Sequence, residues 1–251
     1  MSQTEKARAF AALHVPGRPV ILYNVWDAGS AKAVAEGGAA ALATGSASVA
    51  AAHDFTDAEA LPLELALANA KRVVGAVDLP VTIDFEGAYA VAPDEVAANV
   101  AKLAATGAIG CNFEDQVVGG EGLHPIAFQA ERIAAARAAA GADFFINART
   151  DIFLKQRQGH DEAMVDAALE RAAAYAEAGA SGLFVPGLAD PRLLERVCAG
   201  SPMPVNFMAF PGAPSAGEVA ATGIARISHG PFPHIAAMQA LKDAAGAIYG
   251  G

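Results

Sequence analysis

Cysteine is nearly absent from this chain. The two present, Cys111 and Cys198, are too few for a disulfide scaffold and lack metal-ligand spacing, so core packing is their ordinary role. Basic residues are also scarce, 17 Lys and Arg against 27 Asp and Glu, for a formal net charge of -10. No cluster of Lys and Arg forms the stripe that neutralises phosphates, which argues against nucleic acid and anionic membranes as partners. No stretch of about 18 residues is free of charge and of Gly or Pro interruption, so no membrane-spanning helix is expected. Met1 to Lys6 has no apolar core of a secretory signal, and a cytoplasmic protein is the expectation. An acidic protein that handles an anionic substrate must then supply positive charge locally, through a metal or a placed arginine.

What the chain does have is apolar surface to bury. Hydrophobic residues make up 54% of 251 positions, enough for a large core. Short apolar runs alternate with longer alanine-rich stretches of helical pattern. Strands are expected at Val20–Val25, Ala40–Thr44, Val81–Phe85, Gly110–Glu114, Phe144–Ala148, Gly182–Val185, Val205–Met208 and Ile224–Ser228. Each is apolar along its length, as in parallel strands buried on both faces. Helices are expected at about 29–40, 58–77, 93–106, 126–140, 160–178, 190–199, 214–221 and 232–248, with start signals at Asp57, Pro93 and Pro191. Eight such pairs fit a closed (β/α)8 TIM barrel, α/β in class, better than an open sheet. Residues 1–251 read as one domain, with a capping helix at about 3–13.

In such a barrel the chemistry sits at the strand C-termini, and polar residues gather there. The second strand runs into Gly45, Ser46 and Ala47, the third into Asp84 and Glu86, the fourth into Glu114-Asp115-Gln116, and the fifth into Arg149 and Asp151. Carboxylates sharing one mouth repel unless a cation sits among them. An all-oxygen set suits Mg²⁺ or Mn²⁺. Arg149 can grip a substrate carboxylate by two parallel bonds, and the amides of Gly45, Ser46 and Ala47 can hold an oxyanion. Together they would bind a 2-oxo acid and stabilise an enolate. Tyr23 and Asn206, at the ends of the first and seventh strands, join Asp84 as expected substrate contacts. Other roles stay open: Asp27 and Asp57 also fit helix N-caps, Asp151 fits a partner that orients Arg149, and His53, His124, His229 and His234 fit surface or packing positions.

These strand-end motifs resemble the isocitrate lyase / phosphoenolpyruvate phosphonomutase superfamily. The resemblance runs from about Pro19 to Pro231 and is nearest the short phosphonomutase-like branch. It rests on Asn24 to Ala31, Thr44 to Ala50, Glu114-Asp115-Gln116 and Asn147 to Asp151. It implies Mg²⁺ held by Asp84, with Asp57, Glu86 and Glu114 reaching the ion mainly through water, and substrate held by Ser46, its neighbouring amides and Arg149. It also implies cleavage or formation of C–C or P–C bonds beside a 2-oxo or enol carboxylate.

The departures from that pattern fall after Gln116. The superfamily's lyases carry a gate loop with a Lys-x-Cys-Gly-His core, whose cysteine is the general acid. Here the loop, Val117 to Pro125, has neither cysteine nor lysine, and Val185-Pro186 stands where the mutases have a histidine. Isocitrate-type cleavage is therefore not expected. Glu121 and His124 remain as proton-transfer candidates under a glycine-rich lid, with Tyr89 a third, beside Glu114 and Arg149. The best-fitting activity is a Mg²⁺-dependent lyase or decarboxylase acting on a small 2-oxo dicarboxylate such as oxaloacetate. A P–C bond enzyme and a 2-oxo-acid-binding barrel without turnover are the alternatives. A homo-oligomer, dimer or tetramer, is expected, but without the additional exchanged helix of the superfamily, since the chain stops after one helix beyond the eighth strand.

Overall fold

The computed structural model describes residues 1–156 and 159–250. Among them run eight parallel strands: β1 (Val20–Leu22), β2 (Leu42–Ala43), β3 (Val81–Asp84), β4 (Gly110–Glu114), β5 (Phe145–Arg149), β6 (Gly182–Phe184), β7 (Val205–Met208) and β8 (Arg226–Ser228). Their order is β1-β8-β7-β6-β5-β4-β3-β2, and an isolated parallel bridge from Val25 to Thr44 joins the two edges. The sheet thus curls into a nearly closed (β/α)8 barrel, as the alternating pattern predicts. The described helices are α1 (Gln3–Ala12), α2 (Ala28–Glu36), α3 (Ser46–Ala52), α4 (Leu63–Ala76), α5 (Pro93–Ala104), α6 (Ile126–Ala140), α7 (Ile152–Lys155), α8 (Glu162–Glu177), α9 (Pro191–Gly200), α10 (Ala216–Ala221) and α11 (Phe232–Tyr249).

Local chemistry explains most of these boundaries. Asp27 caps α2 by accepting from the Ser30 amide at 2.7 Å, and Asp161 caps α8 in the same way. Prolines open α5 and α9, where a missing N–H costs nothing. Asp57 is not a cap, and the expected helix from 58 does not begin there. Pro62 disfavours helical backbone at Leu61 and delays α4 to Leu63, so Asp57 is left free to face the mouth. The short α3 and α7, directly after β2 and β5, have no counterpart in the expected element order. The first two strands are shorter than expected, three and two residues, because a single bridge closes the seam between them.

The N-terminal end of the barrel is plugged by α1. Its Phe10 is fully buried and meets Phe145 of β5 edge-on at 5.2 Å. The other end of the chain behaves differently. Helix α11 buries only Pro233, while Ile235, Met238, Leu241, Ile248 and Tyr249 are exposed. It does not lie against its own barrel as the earlier helices do.

His14, just after α1, stacks on Phe145 with ring centroids 4.3 Å apart. Burial, reinforced by the charge of Arg226, pushes its pKa down from 6.5 to about 3. The ring is neutral in the folded chain but takes a proton in the unfolded chain below about pH 6.5. Stability present above that pH is therefore lost as pH falls from about 6.5 toward 3. His14→Phe should remove this loss, gaining on the wild type by roughly 1 kcal/mol per pH unit below about pH 6 in urea melts. A constant offset between the two proteins from pH 8 to pH 5 would refute the buried neutral ring.

Candidate active site

The strand register brings the polar ends together. Asp84 of β3 lies across from Asn112 of β4, and Glu114 of β4 lies across from Arg149 of β5. Asp84 is fixed on one side only. Its Oδ2 accepts from the Ser46 amide at 3.0 Å, and its own amide donates to Thr44 Oγ1 at 2.9 Å. Its Oδ1 is buried with no hydrogen-bond partner among the described residues. Such an orphaned carboxylate oxygen needs a cation or a water. Gly45 lets the backbone close in at this point, because a Cβ there would stand 3.2 Å from the Gly230 carbonyl oxygen. The Ser46 hydroxyl bonds to Asp57. Ser46 therefore directs both its amide and its hydroxyl at carboxylates, which leaves less of an oxyanion nest than the sequence suggests.

Glu86 follows β3 with left-handed backbone, φ 50°. The Glu59 amide donates to its Oε2 at 2.9 Å, and the Tyr89 amide donates to Glu59 Oε1 at 2.7 Å. Glu59 thus ties the 54–59 loop to the 86–89 loop. Arg132, buried against the Phe113 ring, closes the brace by donating to the Gly87 carbonyl at 2.7 Å. Burial raises Glu86 to about 8, helped by the charges of Asp57 and Asp84. Burial and the charges of Glu86 and Glu59, with smaller help from Asp84 and Asp57, raise the Tyr89 phenol above its usual value, so Tyr89 stays protonated and is a donor rather than a base.

Arg149 is the cation of the mouth. Its Nε and Nη2 grip Asp151 at 2.6 and 2.9 Å, and its Nη1 meets Glu114 Oε2 at 2.8 Å. Burial disfavours its charge, but Glu114, Asp151 and Asp84 together outweigh that and hold it charged. Three of its five N–H groups are engaged, which leaves two for a ligand. Burial pushes Glu114 up to about 8 despite Arg149. Behind the pair, Asp115 accepts from the Asp151 amide, the Tyr175 hydroxyl and Arg171. Asp151 is thereby held as the orienter of Arg149.

A cavity of about 390 Å³ occupies the mouth, with Asn24, Ser46, Asp57, Asp84, Asn112 and Arg149 on its polar side. Of the other candidates, Gly45 and Ala47 line it as well. Glu86 and Tyr89 lie just behind Asp84, around a smaller space. Tyr23, Glu121 and His124 do not come to the mouth. Tyr23 faces outward from the barrel and packs on His229. Residues 116–123 close into a short hairpin, with Glu121 exposed and His124 turned toward Phe128. Asn206 is buried beside Ser228, its Nδ2 unpartnered. Asn24 and Asn112 were not among the expected site residues. Asn24 links the first two strands to the eighth, donating to the Thr44 carbonyl and accepting from the His229 amide.

The donor set fits a hard divalent cation. Four carboxylates, Asp57, Asp84, Glu86 and Glu114, share one region, and Asp57, Glu86 and Glu114 are pushed up by burial and by neighbouring carboxylates. Among the described residues no three acidic, His or Cys side chains converge tightly enough to chelate an ion alone. One direct ligand, the Asp84 Oδ1, with the others acting through water, is the arrangement Mg²⁺ favours.

A family model described as phosphoenolpyruvate phosphomutase matches residues 10–249. The crystal structure of a candidate phosphonomutase from Burkholderia cenocepacia J2315 superposes with a TM-score of 0.95 at 50% identity, covering 100% of each chain. A candidate lyase/mutase from the same organism gives a TM-score of 0.89 at 34% identity, over 99% of this chain and 90% of that one. The 2-methylisocitrate lyase of Escherichia coli is 28% identical over 225 residues, 85% of this chain and 74% of the relative.

Asp84→Asn keeps the shape and the Ser46 contact but removes the charge. It should abolish the Mg²⁺-dependent rise in melting temperature, while an unchanged rise would place the ion elsewhere. Arg149→Lys loses the paired N–H geometry and should weaken oxalate binding at least tenfold by calorimetry. Equal affinity would remove Arg149 as the carboxylate clamp.

Proposed function

The chain belongs to the phosphoenolpyruvate phosphomutase family, whose members are lyases and mutases of C–C or C–P bonds, and from that footing we propose that it is a divalent-cation-dependent lyase that breaks a C–C bond at C3 of a small 2-oxo carboxylate, one bond removed from its carbonyl. The observation that carries this reading is the unpartnered Asp84 Oδ1, on a carboxylate that lines the mouth cavity together with Arg149. Mg²⁺ or Mn²⁺ would be held by Asp84 directly and by Asp57, Glu86 and Glu114 through water. When bound, the cation would supply the positive charge that stabilises the 2-oxo oxygen as the electrons of the breaking bond pass into the carbonyl. The two remaining N–H groups of Arg149 hold the carboxylate in register, and the fixed Glu114 and Asp151 keep the guanidinium in its plane. The Tyr89 phenol, kept protonated by its surroundings beside Asp84 and Glu86, would supply the proton.

Oxaloacetate is the simplest test substrate, since its decarboxylation needs only these groups. Pyruvate release should exceed the Mg²⁺-only rate at least a hundredfold and fall to that background in Asp84→Asn. The likeness to a candidate phosphonomutase makes phosphonopyruvate the second arm of the assay. Conversion of phosphonopyruvate with no action on oxaloacetate would replace this reading by P–C chemistry. Oxalate binding without turnover of either would make the barrel a binder.

The exposed apolar side chains of α11 support a homo-oligomer, dimer or tetramer, in which this helix packs on a second copy of the chain. That departs from the expectation that no helix is exchanged. Leu241→Glu should reduce the mass found by light scattering to that of one chain, and an unchanged mass would show that α11 makes no subunit contact.

A further inference from the structure

The mouth cavity has two unlike kinds of wall. Beside Asp57, Asp84 and Arg149 it is lined by Leu154, Phe184, Pro186, Met208 and Pro231, and Phe184 of β6 is registered directly against Arg149 of β5. Leu154 and Met208 also line a second cavity of about 500 Å³, whose other walls are Phe153, Gly187, Phe210, Pro211 and Phe232. Not one of those side chains is polar. The two spaces share a wall, so the polar head site lies against an apolar annex built from β5–α7, the loop after β6, the end of β7 and the start of α11.

The annex is built into the fold. Gly187 has φ 92°, and a Cβ there would stand 3.1 Å from the Leu154 amide nitrogen and the Phe153 carbonyl. That close approach brings the loop after β6 onto α7 and aims Leu154 at both cavities. Met208 is held from the other side, because a Cβ on Gly230 would come 2.8 Å from its Sδ. Among the described residues Arg149 is the one cation that lines either cavity, and the head group takes it.

We infer that the substrate carries an uncharged alkyl or aryl group beyond its 2-oxo carboxylate head, received by the annex between Leu154, Met208, Phe210 and Phe232. This rests on the head-group reading given above. A second carboxylate in the annex would lose its water and find no partner, whereas each buried methylene adds about fourfold in affinity. Either cavity falls within the roughly 300–1,000 Å³ of pockets that enclose drug-sized ligands, more room than a four-carbon acid fills.

The experiment measures affinities of the full-length protein with Mg²⁺ for oxalate, pyruvate, 2-oxobutanoate, 2-oxopentanoate, 2-oxohexanoate and 2-oxoglutarate. Affinity should climb by roughly threefold to fourfold per methylene from pyruvate to 2-oxohexanoate, and 2-oxohexanoate should beat 2-oxoglutarate at least tenfold. In Leu154→Arg the order of those two should reverse with oxalate affinity retained. Phe210→Ala, at a half-buried position, should flatten the climb and serves if the arginine variant fails to fold. If oxalate does not bind, the head-group reading fails and takes this inference with it. If oxalate binds but affinity does not climb, or 2-oxoglutarate matches 2-oxohexanoate, the annex assignment alone is wrong. It is equally wrong if Phe210→Ala changes the oligomeric mass while leaving the climb intact, for the annex would then be a contact between copies of this chain.

Discussion

One guanidinium facing a surplus of buried carboxylates governs the C-terminal end of this barrel. Arg149 satisfies Asp151 and Glu114 at hydrogen-bond distance, but Asp57, Asp84 and Glu86 share the same region without a cation of their own. A buried charge costs several kcal/mol unless paired, while a pair 4 Å apart returns about 4 kcal/mol at an effective dielectric constant of 20. A single arginine cannot balance that many negative charges. The deficit leaves two outcomes, protonation or an added cation, and burial pushes Glu86 and Glu114 toward the first of them when no cation is bound. Deeper in the barrel, Arg226 is fully buried and donates to Asn112 at 3.2 Å. Burial lowers its pKa to about 9, although Asp84 opposes the shift. The interior thus carries a second positive group whose reach extends to the same carboxylate.

Much of this arrangement was legible in the residue order because it depends on local pattern. Short apolar runs alternating with alanine-rich stretches locate the strands, and a parallel barrel then puts Asp84, Glu114 and Arg149 at one rim. Asp57 was ambiguous between cap and site until Pro62 was seen to set the start of α4. Glu59 was not readable, and neither were the contacts of Asn24 and Asn112, since these arise between segments distant in sequence. The Glu59 carboxylate serves Tyr89, 30 positions away, and the Asn24 oxygen serves His229, 205 positions away. The hairpin at 116–123 misled for a related reason. A glycine-rich segment reads as a lid, but the backbone pairing of Gln116 with Leu123 folds it onto itself.

The price of holding the carboxylates in place shows in the backbone. The described non-glycine residues with left-handed φ are Asp54, Ala58, Glu59, Glu86, Ala88 and Tyr89, all in the two loops beside Asp84. Each such residue costs on the order of 1–2 kcal/mol. They persist because the loops lock each other through Glu59 and because Arg132 donates to the carbonyls of Gly87 and Ala90. Strain gathered around a charge-deficient centre is the pattern of a preorganised site, in which the protein meets the reorganisation cost during folding and not during reaction.

The seam between β1 and β2 sets where this barrel breathes. Every other neighbouring pair of strands is joined by two or more registered residues, whereas these two meet only where Val25 faces Thr44. Local opening takes the least free energy where the fewest backbone bonds break. Amide exchange through that slit would therefore outpace exchange across the β4–β5 ladder. The slit ends at Gly45 and Ser46, so this wall of the mouth is backed by a single bridge, whereas the wall bearing Arg149 is backed by the five registered pairs of β4 and β5.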